Sequence, residues 1–394
     1  MNPLSLEGIR VVDFSWVMAG PMTTKMLGAM GAEIIKIESS TRPEFSVRDG
    51  MFAVINNNKK SCTLNITTPE GQEMIRELVR SSHVVVENFS SRVLAKYGLS
   101  YDTLREIRPD IIFVSASGMG RTGPEKDLLA YGSLLQGYSG RVGMIGEPNP
   151  ALEAMGILPA WTDPITALWE TTAILAAIRH WRQTGRGAYV DLSMLEATVA
   201  LLPEALLHAA LGRQVPERRS VTEAGAAPSG CFRCAGEDEW LALSVRTPAE
   251  WEGLRRVMGE AAPADAGLGG AQARLAAKED LNERLATWLR TRDAAATEAA
   301  LHAAGVPASR SRHMAEIVDD PHMRARSMFQ QIDGEVQMAT LPWLADDGGA
   351  AGGAWRGDFA PTPAIGQHND YVFGELLGLS PERRAELAEA GTIR

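Results

Sequence analysis

The chain has 394 residues, of which 45% are hydrophobic and 22% charged, and its formal net charge is −10 at pH 7. This composition is typical of a soluble protein long enough for two domains, and its acidic balance argues against nucleic acid or an anionic membrane as the main partner. A phosphorylated ligand is still compatible, because it needs only a few local cations. The three cysteines predict no disulfide framework, and the N-terminal residues lack the features of a secretory signal, so we expect a cytoplasmic protein.

Short apolar strands alternate with helical segments through the first part of the chain. The predicted strands are 8–14, 32–38, 83–89 and 111–118, and the predicted helices between them are 21–31, 68–82 and 101–110. Near-continuous Val and Ile strands separated by amphipathic helices indicate a parallel sheet covered on both faces. The predicted fold class is therefore α/β, a Rossmann-like doubly wound sheet.

A long helix is predicted next, over residues 164–183. Asp163 is the predicted N-cap, because its side chain can accept the free amides of the first turn, and Gly185 is the predicted C-terminal cap. A strand over 188–193 and a single helix over 194–211 follow. Asp163 also has the chemistry of a reactive carboxylate, and the pattern alone leaves both roles open.

The pattern changes after about residue 225. A hairpin is predicted within 231–245 and Ala-rich helices over 247–258 and 280–304, followed by a Gly/Ala loop and a terminal helix. We predict a large domain over residues 1–200, a smaller α+β domain over 226–325, and a C-terminal segment over 326–394 that returns to the large domain.

Several familiar motifs are incomplete. A dinucleotide site needs a G-x-G-x-x-G turn, but only Gly20 stands after the first strand, with Glu38 as the one further match, so NAD or FAD binding is disfavoured. Cys231 and Cys234 lie three apart on a predicted strand and would face opposite sides, so no metal site is predicted. The polar stretches 56–61 and 87–96 are equally compatible with a solvent-exposed face and with ligand binding.

The ordered segments of the chain resemble family III CoA-transferases, the CaiB/BaiF family. The resemblance rests on "VVDFSWVMAGPMTTKMLGAMGAEIIKIE", "NNNKKSCTLNITTPEG", "VVVENFSSRVLAKYGLSYDTLREIRPDIIFVSASGMGRTGP", "DPITALWETTAILAAIRHWRQTGRGAYVDLSMLEA", "VDDPHMRARSMF" and "GQHNDYVFGELLGLS". It implies transfer of CoA from an acyl-CoA donor to a free organic acid, a Rossmann-like domain with a smaller domain, and two interlocked copies. The resemblance places the family's nucleophilic aspartate on Asp163 and requires no metal, nicotinamide or flavin.

The resemblance also implies the residues that bind CoA. They lie in the loops after successive strands: Met18, Ala19, Ser39, Leu64, Asn65, Ile66, Thr67, Asn88, Phe89, Ser90, Lys96, Leu129, Ala130 and Tyr131. Ser39 stands where some members have an arginine, and Arg42 or Arg48 could supply that charge instead. Tyr131 lies near the position of the histidine base in the racemase branch, which argues against an acyl-CoA racemase.

An exposed aspartate has a pKa of about 3.9, so Asp163 would be ionised at neutral pH and would need no base to activate it. A helix N-terminus contributes only about 0.3–1 kcal/mol to a nearby anion, whereas losing one oriented oxyanion donor costs about 2.7–4 kcal/mol. Backbone amides must therefore assist, and the segment 228–230 is their predicted source.

Within this family, we expect a succinyl-CoA-like donor and an acceptor with apolar or aromatic bulk, as in the benzylsuccinate-type branch. The alternatives are a racemase of the same family and a non-catalytic subunit of a heteromeric CoA-transferase.

Overall fold

The computed structural model describes residues 6–41, 50–90, 93–144, 161–215, 225–264, 267–332, 335–338, 341–345, 357 and 359–393. The chain divides into two compact units. The larger comprises residues 1–142, 157–215 and 324–394, and the smaller comprises 143–156 and 216–323. Arg42 and Arg48 lie outside the described residues. No helix in these described ranges combines the length and hydrophobicity needed to cross a membrane.

A six-stranded parallel sheet forms the centre of the larger unit. Its strands are β1 (Arg10–Asp13), β2 (Glu33–Glu38), β3 (Lys60–Thr63), β4 (Val84–Glu87), β5 (Ile112–Ser117) and β6 (Ala188–Ser193). They are ordered β3-β2-β1-β4-β5-β6, so the order reverses between β1 and β4. The predicted doubly wound α/β fold is confirmed.

Helices cover both faces of this sheet. They are α1 (Ala19–Ala29), α2 (Met51–Asn56), α3 (Pro69–Arg80), α4 (Val93–Lys96), α5 (Tyr101–Ile107), α6 (Gly132–Tyr138), α7 (Thr162–Thr184), α8 (Met194–Val199) and α9 (Pro203–Ala210), with a 3₁₀ turn at Arg141–Met144. Alternating side chains of each strand enter two different cores, because successive residues of a strand face opposite sides. In β4, Val85 packs with residues of α3 and α5, whereas Val84 and Val86 pack with residues of α1 and α7.

Two predictions in this unit were wrong. The predicted helix 194–211 is interrupted after Val199, and α9 begins at Pro203, which has no amide to continue a preceding helix. The strand β3 was missed, because its charged and polar residues lack the apolar pattern of the other strands.

The C-terminal segment covers β3, which is an edge strand of the sheet. It contains a π-helical turn at Asp370–Leu376 and a terminal helix at Pro381–Glu389. Thr63 N donates to Asn369 Oδ1 at 2.9 Å, and Ser61 N donates to His368 Nδ1 at 3.2 Å. These side chains occupy backbone donors that an exposed edge would offer to another chain.

The smaller unit contains a three-stranded antiparallel sheet packed with helices. Its strands are β7 (Ser229–Arg233), β8 (Trp240–Ser244) and β9 (Ala308–Arg310). The helices from residue 248 to residue 325 are α10 (Pro248–Met258), α11 (Ala271–Ala276), α12 (Lys278–Leu289), α13 (Ala294–Ala303), α14 (Met314–Asp319) and α15 (Pro321–Ala325), with a 3₁₀ turn at Gly259–Ala261. The predicted helix 280–304 is in fact two helices, since Asp293 caps a new one at Ala294. A further hairpin, β10 (Phe329–Ile332) with β11 (Glu335–Met338), follows and belongs to the larger unit.

Candidate active site

Helix α7 places Asp163 at the side of the sheet where the carboxyl ends of the parallel strands lie. At the other end of α7, Trp181 Nε1 donates to Asp110 Oδ2 at 2.8 Å, and the indole packs edge-on against His83. Asp110 and His83 lie just before β5 and β4 begin. The C-terminus of α7 is thus at the amino end of the sheet, and Asp163 is at the carboxyl end, where doubly wound folds bind their ligands.

Asp163 is the second residue of α7 and not its N-cap. The helix begins at Thr162, and Trp161 before it already has helical backbone angles and makes no side-chain capping bond. The predicted cap was wrong because an N-cap residue is normally extended, whereas Asp163 lies inside the first turn. Thr162 secures this turn: its hydroxyl accepts from Thr198 Oγ1 at 3.2 Å, and its carbonyl accepts from Thr166 Oγ1 at 2.7 Å.

The carboxyl group of Asp163 is partly buried, and burial raises its pKa to about 6. A hydrogen bond from its own backbone amide opposes this shift without cancelling it. The expectation of an exposed aspartate with an ordinary pKa is therefore corrected. At pH 7 a group of pKa 6 is still about 90% ionised, so Asp163 is predominantly a carboxylate that has lost part of its hydration.

A cavity of about 630 Å³ lies at the carboxyl ends of β1, β2 and β4. It spans the point between β1 and β4 where the strand order reverses, which is the usual ligand site of such sheets. Of the fourteen residues implied to bind CoA, eight line it: Ser39, Leu64, Asn65, Ile66, Thr67, Phe89, Leu129 and Tyr131. Residues from four separate segments of the sequence thus meet at one site.

The other six implied residues are not part of the cavity lining. Ser90 borders a second cavity of about 460 Å³ on the other side of α4. Lys96 is exposed, with its Nζ 5.7 Å from the ring centroid of Tyr97, which does line the first cavity. Lys96 is therefore a solvent-exposed cation next to a residue that lines the cavity.

Met18, Ala19, Asn88 and Ala130 are not among the residues that line the cavity. Asn88 holds the turn after β1, since its Oδ1 accepts from Trp16 N at 2.8 Å and its Nδ2 donates to Trp16 O at 2.7 Å. Ala19 is buried, and Ala130 packs against the same small cluster of apolar side chains. Asn88 therefore acts on the site indirectly, by holding the turn that places Trp16 in the lining.

Seven lining residues were not among those implied to bind CoA: Phe14, Trp16, Ile37, Glu38, Thr41, Val93 and Tyr97. Trp16 and Phe89 form an edge-to-face pair with ring centroids 5.9 Å apart. The sequence signal that could have identified Trp16 is the presence of aromatic residues in the loops directly after β1 and β4, because loops at the carboxyl ends of neighbouring strands converge.

The turn between β1 and α1 is built on a buried ion pair. Asp13 Oδ2 lies 3.1 Å from Lys59 Nζ, both side chains are fully buried, and Asp13 also accepts from Ser15 N and Thr24 Oγ1. Lys59 and the other cations and hydroxyls around Asp13 hold its pKa below the ordinary value despite burial. The stretch 56–61 is consequently not a solvated face, since most of its residues are buried.

Gly20 has a packing role in the same turn. A Cβ at this position would lie 2.3 Å from Ser15 Cβ and 3.4 Å from Asn88 Cγ. The lone glycine is therefore explained by close approach within the protein itself, and no phosphate-binding turn is needed to account for it.

The loop 64–67 is held by hydrogen bonds within the loop and by contacts with residues near the C-terminal end of the chain. Asn65 Oδ1 accepts from Thr67 N at 3.1 Å and from Thr67 Oγ1 at 2.7 Å, which fixes the loop locally. Leu64 pairs with Ile393, and Asn65 N donates to Thr392 O at 2.8 Å. Nothing in the local sequence indicates this contact with the end of the chain.

The segment 228–230 of the smaller unit is firmly anchored. Ser229 N donates to Asn282 Oδ1 at 3.1 Å, and Asn282 Nδ2 donates to Ser229 O at 3.1 Å. The buried guanidinium of Arg274 donates to Ala227 O at 3.0 Å and to Arg246 O at 2.8 Å. These bonds fix the backbone of the segment within its own unit.

The described part of the chain contains no cluster of three or more His, Cys, Asp or Glu side chains arranged to hold a metal ion. Cys231 is exposed and Cys234 is buried, so the two thiols face different environments.

The family model described as "CoA-transferase family III" matches residues 6–369. The chain is 29% identical to the succinyl-CoA–D-citramalate CoA-transferase of Chloroflexus aurantiacus over 98% of this chain and 97% of that one. It is 30% identical to the beta subunit of succinyl-CoA–L-malate CoA-transferase of the same organism, over 99% and 98%. A CaiB/BaiF family protein from Brucella suis superposes with a TM-score of 0.81 at 26% identity, covering 95% of this chain and 99% of that one.

Proposed function

Because this chain belongs to CoA-transferase family III and is a CoA-transferase, we propose that it moves CoA from succinyl-CoA to a free dicarboxylic acid through an aspartyl-CoA thioester on Asp163. The observation that carries this proposal is the partly desolvated carboxylate of Asp163 at the start of α7, on the ligand-binding edge of the sheet.

In the first half-reaction, an Asp163 carboxylate oxygen attacks the thioester carbon of the donor. The carbon–sulfur bond breaks, which leaves a mixed anhydride on Asp163 and free CoA thiolate. The thiolate then attacks the aspartyl carbonyl carbon and displaces the donor acid as its carboxylate. Asp163 carries CoA as a thioester at this stage, and no proton or redox equivalent is gained or lost.

The second half-reaction runs in reverse with the acceptor. The acceptor carboxylate attacks the aspartyl thioester, which gives a second anhydride and frees the thiolate again. The thiolate attacks the acceptor's acyl carbon, and Asp163 leaves as a carboxylate. Each attack passes through a tetrahedral oxyanion, which oriented backbone amides would stabilise.

The cavity at the carboxyl ends of β1, β2 and β4 is the proposed binding site for the nucleotide part of CoA. Its lining of Trp16, Phe89 and Tyr97 offers aromatic faces, and the exposed Lys96 next to Tyr97 offers a cation for a phosphate. Binding energy from this remote part of the substrate can then favour the reacting geometry at the thioester.

The two relatives from Chloroflexus are named for succinyl-CoA and for acceptors, citramalate and malate, that are substituted dicarboxylic acids. A dicarboxylic acceptor is therefore proposed. The earlier expectation of apolar or aromatic bulk remains compatible with it as a substituent, and a series from malate to benzylsuccinate measures how much bulk the site accepts.

We further propose that the larger unit associates with a second copy of the chain. Large apolar side chains are exposed on three of its helices: Leu134 and Tyr138 on α6, Leu168 and Trp169 on α7, and Leu206 and Leu207 on α9. Exposed apolar surface of this kind marks an interaction site. A related CoA-transferase is named as a beta subunit, so light scattering of the pure chain must decide between a homodimer and a need for a different partner.

The aspartyl thioester can be trapped directly. The protein is incubated with succinyl-CoA and then with hydroxylamine, and the modified residue is located by mass spectrometry. We expect the modification on Asp163 and its loss in Asp163→Asn, together with loss of CoA transfer to every acid tested. Full transfer activity in Asp163→Asn would overturn the mechanism.

Asp102→Asn is the matched control. Asp102 is likewise the second residue of a helix, α5, but it is exposed. We expect this variant to retain both the trapped thioester and the transfer activity. A racemase would instead exchange the α-proton of an acyl-CoA in D₂O without any acceptor acid.

A further inference from the structure

Glu170 is a second carboxyl group on α7, two helical turns after Asp163. Its side chain is fully buried, although glutamate is rarely buried without a cation. Its Oε2 lies 2.8 Å from Thr23 Oγ1 on α1, and its Oε1 is buried with no hydrogen-bond partner among the described residues. No lysine or arginine forms an ion pair with it within the described ranges.

The geometry around the Thr23 hydroxyl fits a protonated Glu170. Thr23 Oγ1 is within 3.1 Å of Ala19 O, 3.4 Å of Ala167 O and 2.8 Å of Glu170 Oε2, yet a hydroxyl has only one proton to donate. If Glu170 were ionised, Thr23 would have to choose between the carboxylate and a backbone carbonyl. If Glu170 carries a proton on Oε2, it donates to Thr23 Oγ1, and Thr23 donates in turn to Ala19 O.

We propose that Glu170 is kept as a neutral carboxylic acid whose hydrogen bond to Thr23 ties α7 to α1. Through this tie, it acts as a positioning residue that sets Asp163 relative to the start of α1 beside the CoA cavity. The proposal rests on the proposed function, since it assigns a role in orienting the nucleophile of that reaction.

The charges around Glu170 favour the neutral form. Asp13 on β1 and Glu87 on β4 are the carboxylates that act on it, and they have their own cations, Lys59 and Arg121. Burial is the largest cause, and although the hydrogen bond with Thr23 acts in the opposite direction, burial and these two carboxylates together raise the pKa of Glu170 to about 8.

The remaining charged groups on the neighbouring elements are directed elsewhere. Lys36 on β2 donates to Ser15 O at 2.9 Å, and Lys25 on α1 donates to Val54 O at 2.7 Å. Glu196 on α8 is exposed. None of them supplies a proton acceptor or a counter-ion to Glu170 in the described structure.

The hydrogen bond between Glu170 and Thr23 matters because both α1 and α7 begin next to residues of the proposed active site. α1 begins at Ala19, next to the turn that carries Trp16 into the cavity lining, and α7 begins at Thr162, next to Asp163. A misplacement of about 1 Å between reacting groups can cost about 100-fold in rate. Ionisation of Glu170 at alkaline pH would place a charge without a counter-ion between α1 and α7, where burial disfavours it and strains the contact between the two helices.

The test measures the rate of thioester formation on Asp163 from succinyl-CoA alone, at saturating donor, from pH 6.5 to pH 9.5. Between pH 7 and pH 9, a group of pKa 8 goes from about 90% to about 10% protonated, so we expect a fall of about ten-fold in the full-length wild-type protein. Glu170→Gln cannot ionise and has an amide N–H to donate to Thr23. We expect it to keep the neutral-pH rate within about two-fold and to lose the alkaline fall.

Three further variants separate positioning from packing. Thr23→Ser keeps the hydroxyl and should keep the wild-type profile, whereas Thr23→Val should lower the rate about ten-fold at neutral pH, as expected for one lost hydrogen bond to a buried group. Ile174→Ala opens a cavity one turn further along α7. It should lower stability but preserve the alkaline fall.

An alkaline fall of unchanged size in Glu170→Gln would overturn the proposal, and so would a normal rate in Thr23→Val. These results are distinct from failure of the proposed function, in which the wild-type protein would form no thioester at any pH. Should Glu170→Gln not fold, the comparison of Thr23→Ser with Thr23→Val decides alone.

Discussion

The raised pKa of Asp163 predicts an acid limb in the first half-reaction. A carboxyl group of pKa 6 is about 90% ionised at pH 7 and about 10% ionised at pH 5. Since only the carboxylate attacks the thioester, we expect the rate of thioester formation to fall about ten-fold between these two values. An aspartate with an ordinary pKa of about 3.9 would remain more than about 90% ionised at pH 5 and would show almost no change.

The measurement is single-turnover formation of the enzyme thioester by quenched flow and mass spectrometry. No free acid is added, so titration of an acceptor carboxylate does not contribute to the profile. Intrinsic fluorescence at each pH checks that the protein remains folded. A rate that stays constant from pH 7 to pH 5 would show that Asp163 is hydrated like a surface residue, and the argument from burial would be refuted.

Burial of Asp163 also affects folding stability in a defined direction. Because its folded pKa is raised, the folded state binds more protons than the unfolded state between about pH 4 and pH 6. Asp163→Asn should therefore be more stable than the wild-type protein at pH 7, and the difference should shrink as the pH falls toward 4, measured by urea denaturation. Lys59→Met should lower stability by about 3–5 kcal/mol, because it leaves Asp13 buried without its cation, and adding Asp13→Asn should recover part of that loss. Gly20→Ala should destabilise by about 1–3 kcal/mol through the clash with Ser15, whereas Gly137→Ala, at a helical position with open space, should be neutral or stabilising. Tyr97→Ala should raise the acyl-CoA concentration needed for half-saturation and leave the maximal rate nearly unchanged, as expected for a contact made equally in the ground and transition states.

The parallel sheet could be predicted because five of its six strands carry their own apolar pattern. β3 could not, since Lys60–Thr63 is stabilised by partners far away in the sequence. Lys59, directly before it, is buried against Asp13, 46 positions earlier, and Thr63 bonds to Asn369, 306 positions later. From the sequence alone, a charged stretch is predicted to be solvent-exposed, because the distant residues that pair with it in the fold are not known.

The candidate site divides in a similar way. Asp163 was identified from the resemblance, but its environment was not, because desolvation depends on packing that one segment cannot reveal. Glu170 lies in the same stretch and reads from the sequence as an interruption of an apolar helix. Its hydrogen-bond partner is Thr23, 147 positions earlier, so the local sequence does not show its buried environment.

The contact of Leu64 and Asn65 with Ile393 and Thr392 has a consequence for synthesis of the protein. The chain leaves the ribosome from its N-terminus, at about 5–20 residues per second. More than 320 residues must be added between the loop 64–67 and the strand-like partner that holds it. For at least about 16 seconds after it emerges, the loop 64–67, which lines the cavity, therefore lacks the C-terminal residues that hold it in the folded protein. A nascent chain that already contains Asp163 still lacks part of the proposed CoA site.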